Sequence, residues 1–425
     1  MNLHIEKIVY PGKSMAIATG KVIFCDEGLP GEEVEAVPIK EKKTYVEARV
    51  TKILKESPHR VPARCAHYKT CSPYQCIDYP LQLEIKKSQI QEIFLRSLRI
   101  ELPNLMIRPS PEIWSYRNKV RLSLIREGSK AHLAYHQPGA QDEFVRIEKC
   151  FLVSAEMNAL LTAFREITTA KNLDVIEEVE VKESSSNQAM LLVLCLNSRQ
   201  DMEGLKENLA PLKSRFPLRG IICLVKKRKG LEEIILDGEN YIEERIGENT
   251  FRIGPQSFFQ VNIELLKEVI LDLRNIIPLS GKERVADLYS GVGTFGMSLA
   301  SNAAEVMGVE SSTENIEFLK KNLALNRVGN FTVCEGLSEE WISWVLKKRI
   351  DLLILDPPRK GISRSIVQSL LDEPVSLIVY LSCNPSTLAR DLKLLNSKYK
   401  LKDIRIYDFF PHTPHLETCA ILEKF

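Results

Sequence analysis

The stretch RVADLYSGVGTFG, residues 284–296, decides the fold of the C-terminal part of this 425-residue chain. An apolar strand, RVADL, runs directly into a turn with glycines at 291, 293 and 296, and a helix follows. Glycines at these positions let the backbone turn tightly and approach a ligand. The pattern predicts a parallel α/β sheet with a nucleotide-like cofactor, and by itself it fits a nicotinamide dehydrogenase as well as a methyltransferase.

Continuous apolar strands continue on both sides of this turn, at EVMGVE (305–310), DLLILD (351–356) and SLIVYLS (376–382), and helical patterns separate them. Strands that are apolar on both faces and alternate with helices are typical of a doubly wound, mostly parallel, Rossmann-like sheet. We therefore assign residues 251–425 to an α/β catalytic domain. Its ligands are expected at the C-terminal ends of the strands, where Glu310, Asp356 and Cys383 lie.

Acidic residues at this edge discriminate between the two cofactor classes. Asp287 precedes the glycine turn, where a carboxylate would repel a pyrophosphate but favour a sulfonium cofactor, which carries positive charge and no phosphate. Glu310 lies about 20 residues beyond the first glycine, where a carboxylate can accept both ribose hydroxyls. Asp356-Pro357-Pro358 brings another acid to the same edge, although such a sequence can also be an ordinary strand end. These acids therefore favour a methyltransferase over a nicotinamide dehydrogenase.

Cys383 follows the last apolar strand of this series and precedes Asn384-Pro385. A lone cysteine after an apolar strand is ordinarily a core thiol. Here the Asn-Pro turn predicts that the thiol stays at the functional edge, where it can act as a nucleophile. Further along, Glu417 follows several aromatic residues; burial by them should raise its pKa and suit it to proton abstraction. His412 and His415 are candidate metal ligands, but their spacing matches no recognised site.

The first 57 residues alternate apolar and polar positions between Gly and Pro turns, which predicts a small antiparallel barrel of five strands. The order of GKV (20–22), LPGE (29–32) and ARV (48–50) resembles a TRAM domain, an OB-like RNA-binding module. Lys40, Lys42 and Lys43 would then face a phosphate backbone. A solvated hairpin is the alternative for these lysines.

Residues 58–250 mix helices and strands and predict a central α+β domain. Residues 80–100 show apolar spacing of three and four, typical of an amphipathic helix with a basic outer face, which could pack on the catalytic domain. In YRNKVR, residues 116–121, basic side chains stand beside an aromatic residue, a composition that can stack on unpaired bases and bind phosphate. Alternate residues of one exposed strand give the same composition.

Six stretches together carry a family resemblance. They are FFQVN (258–262), DLYSGVG (287–293), DPPR (356–359), SCNP (382–385), FPHT (410–413) and HLE (415–417). With them the chain resembles the RNA uracil-5-methyltransferases of the RlmD/RumA and TrmA group over nearly its full length. The resemblance implies that S-adenosylmethionine is the cofactor and that uridine carbon 5 in RNA is methylated.

Residue roles follow from the same resemblance. It implies that Cys383 attacks carbon 6 of the base and that Glu417 removes the proton from carbon 5. The cofactor contacts that it implies are Gln260, Tyr289, Gly291, Gly293, Glu310 and Asp356. Candidate RNA contacts are Arg117, Asn118, Phe258 and Arg359. At Leu337 the chain departs from its relatives, which commonly have Asp there, so adenine recognition differs at that position.

Four cysteines could supply the thiolates of a [4Fe-4S] cluster: Cys65, Cys71, Cys76 and Cys150. Related ribosomal RNA enzymes have such a cluster near these positions, but their usual Cys-Gly-Gly-Cys is replaced here by CSPYQC at 71–76. Zinc is the alternative, but structural zinc sites favour two pairs of closely spaced cysteines, which this sequence lacks. The barrel and the cysteines together resemble the ribosomal enzymes and favour 23S rRNA as substrate, with tRNA as the alternative.

Composition limits the remaining possibilities. The formal net charge of +2 gives no overall electrostatic argument for nucleic acid, so local basic patches have to provide it. No apolar run approaches the roughly 20 residues of a membrane span, and the N-terminal residues lack the pattern of a secretory signal. We expect a cytoplasmic monomer that acts on RNA without a membrane partner. A non-catalytic RNA-binding protein with a methyltransferase fold remains the alternative from a different class.

Overall fold

In a computed structural model of the chain, the structure describes residues 1–137, 139, 143–171, 173–202, 204–228 and 230–425. Contacts divide the chain into two compact units. Unit 1 contains residues 1–110, 383–393 and 404–418, and unit 2 contains residues 111–382, 394–403 and 419–425. Each unit combines segments that are distant along the chain, so the units do not test the predicted domain boundaries at residues 57 and 250. These boundaries remain a prediction.

A six-stranded sheet forms the N-terminal part of unit 1. Its strands are β1 Asn2–His4, β2 Lys7–Val9, β3 Lys13–Ala18, β4 Lys21–Cys25, β5 Glu33–Glu41 and β6 Tyr45–Lys55, in the order β1-β5-β6-β4-β3-β2. Alternate side chains, such as Val34 and Ala36, point into its core. β4 and β6 are parallel, unlike the predicted all-antiparallel barrel, because alternation along a strand does not determine which strands pair.

The long helix of unit 1 starts and ends where the sequence provides capping groups. The helices here are α1 Tyr68–Cys71, a 3-10 turn Pro73–Cys76, and α2 Tyr79–Leu98. The Asp78 carboxylate accepts a hydrogen bond from the Leu81 N–H at 2.9 Å, and Arg99, with φ of +60°, ends α2. The predicted helix is present, but its basic residues are not all on the outer face, since Lys86 is completely buried.

Unit 2 begins with a mixed sheet and two helices that cover it. Its elements are β8 Lys119–Glu127, β9 Lys130–His136, β10 Phe144–Arg146, α3 Ala155–Ala170, β11 Ile176–Glu183, β12 Met190–Leu196, α4 Leu205–Arg215, β13 Leu218–Lys226 and β14 Leu231–Gly238; β7 Met106–Arg108 precedes them in unit 1. The strand order is β10-β9-β8-β11-β12-β13-β14, and β12 and β13 are parallel. Every residue of β12 is buried, which explains its unbroken apolar sequence MLLVLCL.

A hairpin and the second sheet follow. The elements are β15 Ile242–Ile246, β16 Asn249–Ile253, α5 Ile263–Ile276, β17 Arg284–Leu288, α6 Thr294–Ala300, β18 Glu305–Glu310, α7 Thr313–Leu325, β19 Phe331–Glu335, α8 Ser338–Leu346, β20 Leu352–Leu355, α9 Arg364–Asp372, β21 Leu377–Ser382, α10 Pro385–Leu395, β22 Tyr399–Tyr407 and β23 Glu417–Lys424. The sheet order is β19-β18-β17-β20-β21-β23-β22-β7.

The five strands from β19 to β21 are mutually parallel, as their continuous apolar sequences predict. Parallel strands connected by helices place all their C-terminal ends at one edge. Glu310 and Asp356 are brought to that edge in unit 2, together with the turn after β17. No helix in the described ranges has the length and apolar character required to cross a membrane.

Candidate active site

The turn between β17 and α6 adopts backbone angles that favour glycine. Gly293 has φ of +95°, and a Cβ atom there would lie 2.6 Å from Cδ1 of Leu319. A Cβ atom at Gly296 would lie 2.8 Å from an Asp287 carboxylate oxygen. Tyr289, a predicted cofactor contact, has φ of +64°, an uncommon conformation for a residue with a side chain. Glycine is thus required for the backbone of α6 to pack closely against β17 and α7.

Glu310 connects this turn to the next strand. Its carboxylate accepts hydrogen bonds from the N–H of Gly291 at 2.9 Å and from those of Ser311 and Ser312 at 2.9 and 2.7 Å. The predicted ribose ligand is therefore fixed beside the glycine turn. Gly336 donates to the Glu310 carbonyl at 2.9 Å, and the following Leu337 side chain is half exposed, which offers an apolar surface beside the predicted ribose ligand.

Two carboxyl groups of this edge have strongly raised pKa values. Burial raises the pKa of Asp287 to about 7, with smaller contributions from Asp356 and Glu310. One oxygen of Asp287 accepts from the Gly296 N–H at 2.8 Å, and the other has no hydrogen-bond partner among the described residues. Burial also raises the pKa of Asp356 to about 7. Such a group of acids is stabilised by a ligand with positive charge.

Gln260 lies in the segment that connects β16 to α5 and is 8% exposed. Asn118 fixes the backbone of this segment: its side-chain amide donates to the Gln260 carbonyl at 3.1 Å, and its N–H donates to the Val261 carbonyl at 3.0 Å. Phe258, two residues earlier, is 62% exposed. An exposed aromatic ring held on a fixed backbone can stack on an unpaired base.

The candidate RNA contacts differ in exposure. Arg359 is exposed, Arg117 and Asn118 are partly exposed, and Tyr116 is buried at 7% exposure in the core of the mixed sheet. Tyr116 is therefore unsuitable for stacking on a base, contrary to the expectation from the composition of residues 116–121. Alternation along an extended segment placed the ring on the core side.

In unit 1, Cys383 is partly exposed and comes directly after β21 and before α10 in the chain. The next residue, Asn384, accepts hydrogen bonds at its side-chain oxygen from the Ser386 N–H at 3.2 Å and from the Tyr10 hydroxyl at 3.5 Å. Its carbonyl accepts from the Thr387 hydroxyl at 3.0 Å. These bonds fix the start of α10 and hence the backbone next to the predicted nucleophile.

The loop that leads to Glu417 is held by buried polar residues of α2. Gln82 accepts from the His412 N–H at 2.8 Å, and its amide nitrogen lies 3.1 Å from Nδ1 of the His412 ring. Lys86 donates to the Asp408 carboxylate, and to the Phe410 carbonyl at 3.1 Å. Glu417, the predicted base, starts β23 and is 8% exposed.

Gln82 and Lys86 were not predicted as supports of this loop. The signal was present in the sequence, because Gln82, Lys86 and Gln89 recur at spacings of four and three, along the stripe that Ile85 and Ile90 bury. A polar residue that occupies such a position needs a buried partner. The partner could not be named from the sequence, since Asp408 lies more than 300 residues away.

The structure does not support the predicted cluster site. Across the described residues, no three His, Cys, Asp or Glu side chains are grouped so that they could hold a metal ion. The Gln75 amide donates to Cys65 Sγ at 3.3 Å, the Cys71 Sγ lies 3.3 Å from the Ser72 hydroxyl, and Cys76 Sγ donates to the Pro73 carbonyl at 3.4 Å.

The fourth cysteine, Cys150, is buried in the apolar core of unit 2. The predicted four-thiolate iron–sulfur ligand set at Cys65, Cys71, Cys76 and Cys150 is not supported, because no metal-binding group is found among the described residues. Within residues 71–76, Gln75 lies beside Cys65 and Ser72 lies beside Cys71.

Comparisons with known proteins agree with the chemistry of this edge. The family model described as tRNA (Uracil-5-)-methyltransferase matches residues 78–425. An uncharacterized RNA methyltransferase of Bacteroides thetaiotaomicron is 31% identical, with 97% of this chain and 99% of that protein covered. One of Listeria monocytogenes is also 31% identical, with 99% and 96% covered.

A solved structure also matches over the full length. The Pyrococcus abyssi tRNA (uracil-54, C5)-methyltransferase in complex with S-adenosyl-L-homocysteine superimposes with a TM-score of 0.77 and 26% identity, covering 99% of this chain and 100% of that one. The fold is thus that of a methyltransferase. The chain belongs to the family described as tRNA (Uracil-5-)-methyltransferase, and it is an S-adenosylmethionine-dependent RNA methyltransferase.

Proposed function

We propose that this enzyme methylates carbon 5 of a uridine in 23S ribosomal RNA, through a covalent bond between Cys383 and carbon 6 of the base. The observation that carries the proposal is the acidic glycine turn, where Asp287, Glu310 and Asp356 create a site for a cationic, phosphate-free nucleoside. S-adenosylmethionine has this chemistry and supplies the methyl group. The family membership and the partly exposed thiol at Cys383 support the same reaction.

Carbon 5 of uracil is a poor nucleophile until a group adds across the 5,6 double bond. In the proposed reaction the Cys383 thiolate forms a bond to carbon 6, and the π electrons move toward the carbonyl oxygen at carbon 4 as an enolate. Carbon 5 then forms its bond to the methyl carbon as the bond between that carbon and sulfur breaks, which leaves the neutral thioether.

Glu417 completes the proposed cycle as a general base. It takes the proton from carbon 5, the electron pair of that bond restores the 5,6 double bond, and the bond between carbon 6 and Cys383 breaks to return the thiolate. Glu417 is 8% exposed, so its carboxylate is largely shielded from bulk water, which suits it to the role of base. Hydrogen bonds between α2 and residues 408, 410 and 412 hold the loop that leads to Glu417, which supports a fixed position for this base.

The cofactor contacts in the proposal are Gln260, Tyr289, Gly291, Gly293, Glu310 and Asp356. Glu310 would bind the ribose hydroxyls, because three backbone N–H groups already orient its carboxylate. Leu337 would give the adenine an apolar contact in place of a carboxylate. Phe258 and Arg359, both exposed, would bind the RNA by stacking and by phosphate contact.

The choice of 23S rRNA rests on the resemblance of the N-terminal sheet and the cysteine-containing segment to ribosomal enzymes. Transfer RNA is the second candidate, because the Pyrococcus abyssi protein that covers the whole chain is a tRNA (uracil-54, C5)-methyltransferase. The OB-like, RNA-binding role of residues 1–57 belongs to this proposal, supported by exposed Lys40, Lys42 and Lys43. No step is assigned to an iron–sulfur cluster.

Mapping of 5-methyluridine tests the proposal. The 23S rRNA and the tRNA of a strain with and without the gene are digested and compared by mass spectrometry, and purified protein with labelled cofactor is added to each unmodified RNA. The proposal expects one uridine of 23S rRNA to lose its methyl group in the deletion strain. Loss confined to tRNA would establish the second candidate. Cofactor binding without transfer to either RNA would indicate a non-catalytic RNA-binding protein.

A further inference from the structure

A buried lysine of the mixed sheet binds the loop that precedes Gln260, and both lie in unit 2. Lys182, in β11, is 3% exposed, and its ammonium group donates to the carbonyls of Gly254 at 2.6 Å and Ser257 at 2.9 Å. One cation thus fixes both ends of the four-residue loop 254–257. Charged donors form stronger hydrogen bonds to carbonyls than neutral donors do.

The same loop is fixed from its other side by α7. A carboxylate oxygen of Glu314 accepts from the Gln256 N–H at 2.8 Å and from the Ser257 hydroxyl at 3.1 Å. Gly254 packs directly against this helix, since a Cβ atom there would lie 2.2 Å from a ring carbon of Phe318. The loop therefore has little freedom to move between β11 and α7.

Downstream of the loop, the same sheet continues to bind the chain. Asn118 bonds to the carbonyls of Gln260 and Val261, and its own carbonyl accepts from the Glu183 N–H at 2.8 Å, next to Lys182. Residues 254–261 are thus attached to β11 and to the residue that precedes β8. Glu314 lies in the first turn of α7, four residues after Glu310. The start of this helix therefore links the loop 254–257 to the predicted ribose ligand.

The ammonium group of Lys182 is buried among other charged groups. Burial, reinforced by Lys119, lowers the pKa of Lys182 to about 8, while Glu180 and Glu314 act in the opposite direction. Glu180 lies 3.7 Å from the Lys182 ammonium and 3.4 Å from that of Lys119. A buried cation needs compensation, and here much of it comes from carbonyls of a loop adjacent to a predicted cofactor contact.

We propose that Lys182 is a positioning residue for the cofactor site: by binding the carbonyls of Gly254 and Ser257 it sets the backbone that presents Gln260 to the cofactor and Phe258 to the RNA base. The inference rests on the proposed role of Gln260. It requires no contact between Lys182 and either substrate. Its loss therefore weakens cofactor binding through the loop and leaves the chemistry at Cys383 unchanged.

Two measurements on the full-length protein test this role. The first is hydrogen–deuterium exchange of the peptide that covers residues 254–262 in the ligand-free protein, and the second is the Kd for S-adenosylhomocysteine by titration calorimetry. For Lys182→Met we expect exchange at least about tenfold faster and a Kd roughly tenfold higher or more, as for loss of charged hydrogen bonds. The KM for S-adenosylmethionine should rise with little change in kcat.

Matched variants distinguish loss of the loop hydrogen bonds from a disturbance of the charges on Glu180 and Lys119. Lys119→Met removes the other cation beside Glu180 without touching the loop, and its exchange and Kd should stay within about twofold of the wild type. Lys182→Met combined with Glu180→Gln removes the uncompensated carboxylate. If the double variant is as defective as Lys182→Met, the loop bonds are responsible, whereas recovery to wild-type exchange and Kd overturns the proposal.

The result that contradicts the role of Lys182 is a Kd and a loop exchange rate within twofold of the wild type in Lys182→Met. If that variant shows no cooperative thermal transition, Lys182→Gln is measured by the same criteria and decides in its place. Failure of the wild type to bind S-adenosylhomocysteine would contradict the proposed function instead. The exchange measurement, which needs no ligand, would still decide whether Lys182 fixes the loop.

Discussion

The ammonium group of Lys86 donates a hydrogen bond to the carboxylate of Asp408, and both side chains are completely buried. Lys86 also donates to the Phe410 carbonyl at 3.1 Å, so one side chain binds two points of the loop that precedes Glu417. Burial lowers the pKa of Lys86, and the charge of Asp408 acts in the opposite direction. This pair connects helix α2 to the segment that carries the proposed general base.

We predict that Lys86→Met lowers the free energy of unfolding by roughly 3–5 kcal/mol, because it leaves the buried Asp408 carboxylate without its cation. Urea denaturation at pH 7.5 measures this change. Lys86→Met combined with Asp408→Asn should recover a large part of the loss. Lys87→Met, a change at a partly exposed neighbour, should stay within about 0.5 kcal/mol of the wild type. A loss below 1 kcal/mol in Lys86→Met would contradict this account of the pair.

Cofactor affinity should rise with pH across neutrality. The pKa values of Asp287 and Asp356 are raised to about 7, so both groups are largely protonated at pH 6 and largely ionised at pH 8. A sulfonium cofactor binds the ionised site better, and the Kd for S-adenosylmethionine should therefore fall by up to about tenfold per coupled proton between pH 6 and 8.

Two comparisons make this pH dependence specific. S-adenosylhomocysteine lacks the sulfonium charge and should show a shallower dependence, measured by calorimetry in buffers of equal ionic strength. Asp356→Asn should flatten the curve for S-adenosylmethionine. In the ligand-free protein, the raised pKa values stabilise the fold at low pH, and this contribution is lost as pH rises from about 4 through 7. A pH-independent Kd would contradict ionisation of these acids as part of cofactor binding.

Cys383→Ala should reduce methyl transfer by at least roughly a thousandfold, because no other group is proposed to add to carbon 6. Initial rates with labelled cofactor and unmodified RNA measure the effect, and the Kd for S-adenosylhomocysteine should remain within about twofold of the wild type. Cys223→Ala, which removes a fully buried thiol of the mixed sheet, serves as the control and should retain activity. Near-normal turnover in Cys383→Ala would refute the proposed nucleophile.

The parallel strands and the glycine turn could be predicted from the sequence because they depend on local patterns. The apolar runs LLIL and LIVYLS form β20 and β21. Gly291 and Gly293 adopt positive φ angles in the turn, and Cβ atoms at Gly293 and Gly296 would clash with neighbouring side chains. Such features are encoded within a few residues. The order of strands in the N-terminal sheet depends on pairing between distant segments, which alternation does not encode.

The supports of the site were missed for a related reason. Lys182 alternates with apolar residues in VEVK at 179–182, a pattern that predicts an exposed lysine. The carbonyls that bind its buried ammonium group lie 72 and 75 residues away. The structure does not support the cysteine prediction, since spacing gives candidate ligands but not the directions of their side chains. Residues that act through long-range partners require the structure.

Trapping of a covalent complex with Glu417→Gln tests the central claim most directly. The variant is incubated with S-adenosylmethionine and unmodified RNA, separated under denaturing conditions, digested and analysed by mass spectrometry. Because the proton at carbon 5 is no longer removed, we predict a protein–RNA adduct in which methylated uridine is attached to the Cys383 peptide. Full turnover by Glu417→Gln without an adduct, or an adduct at another residue, would contradict the account.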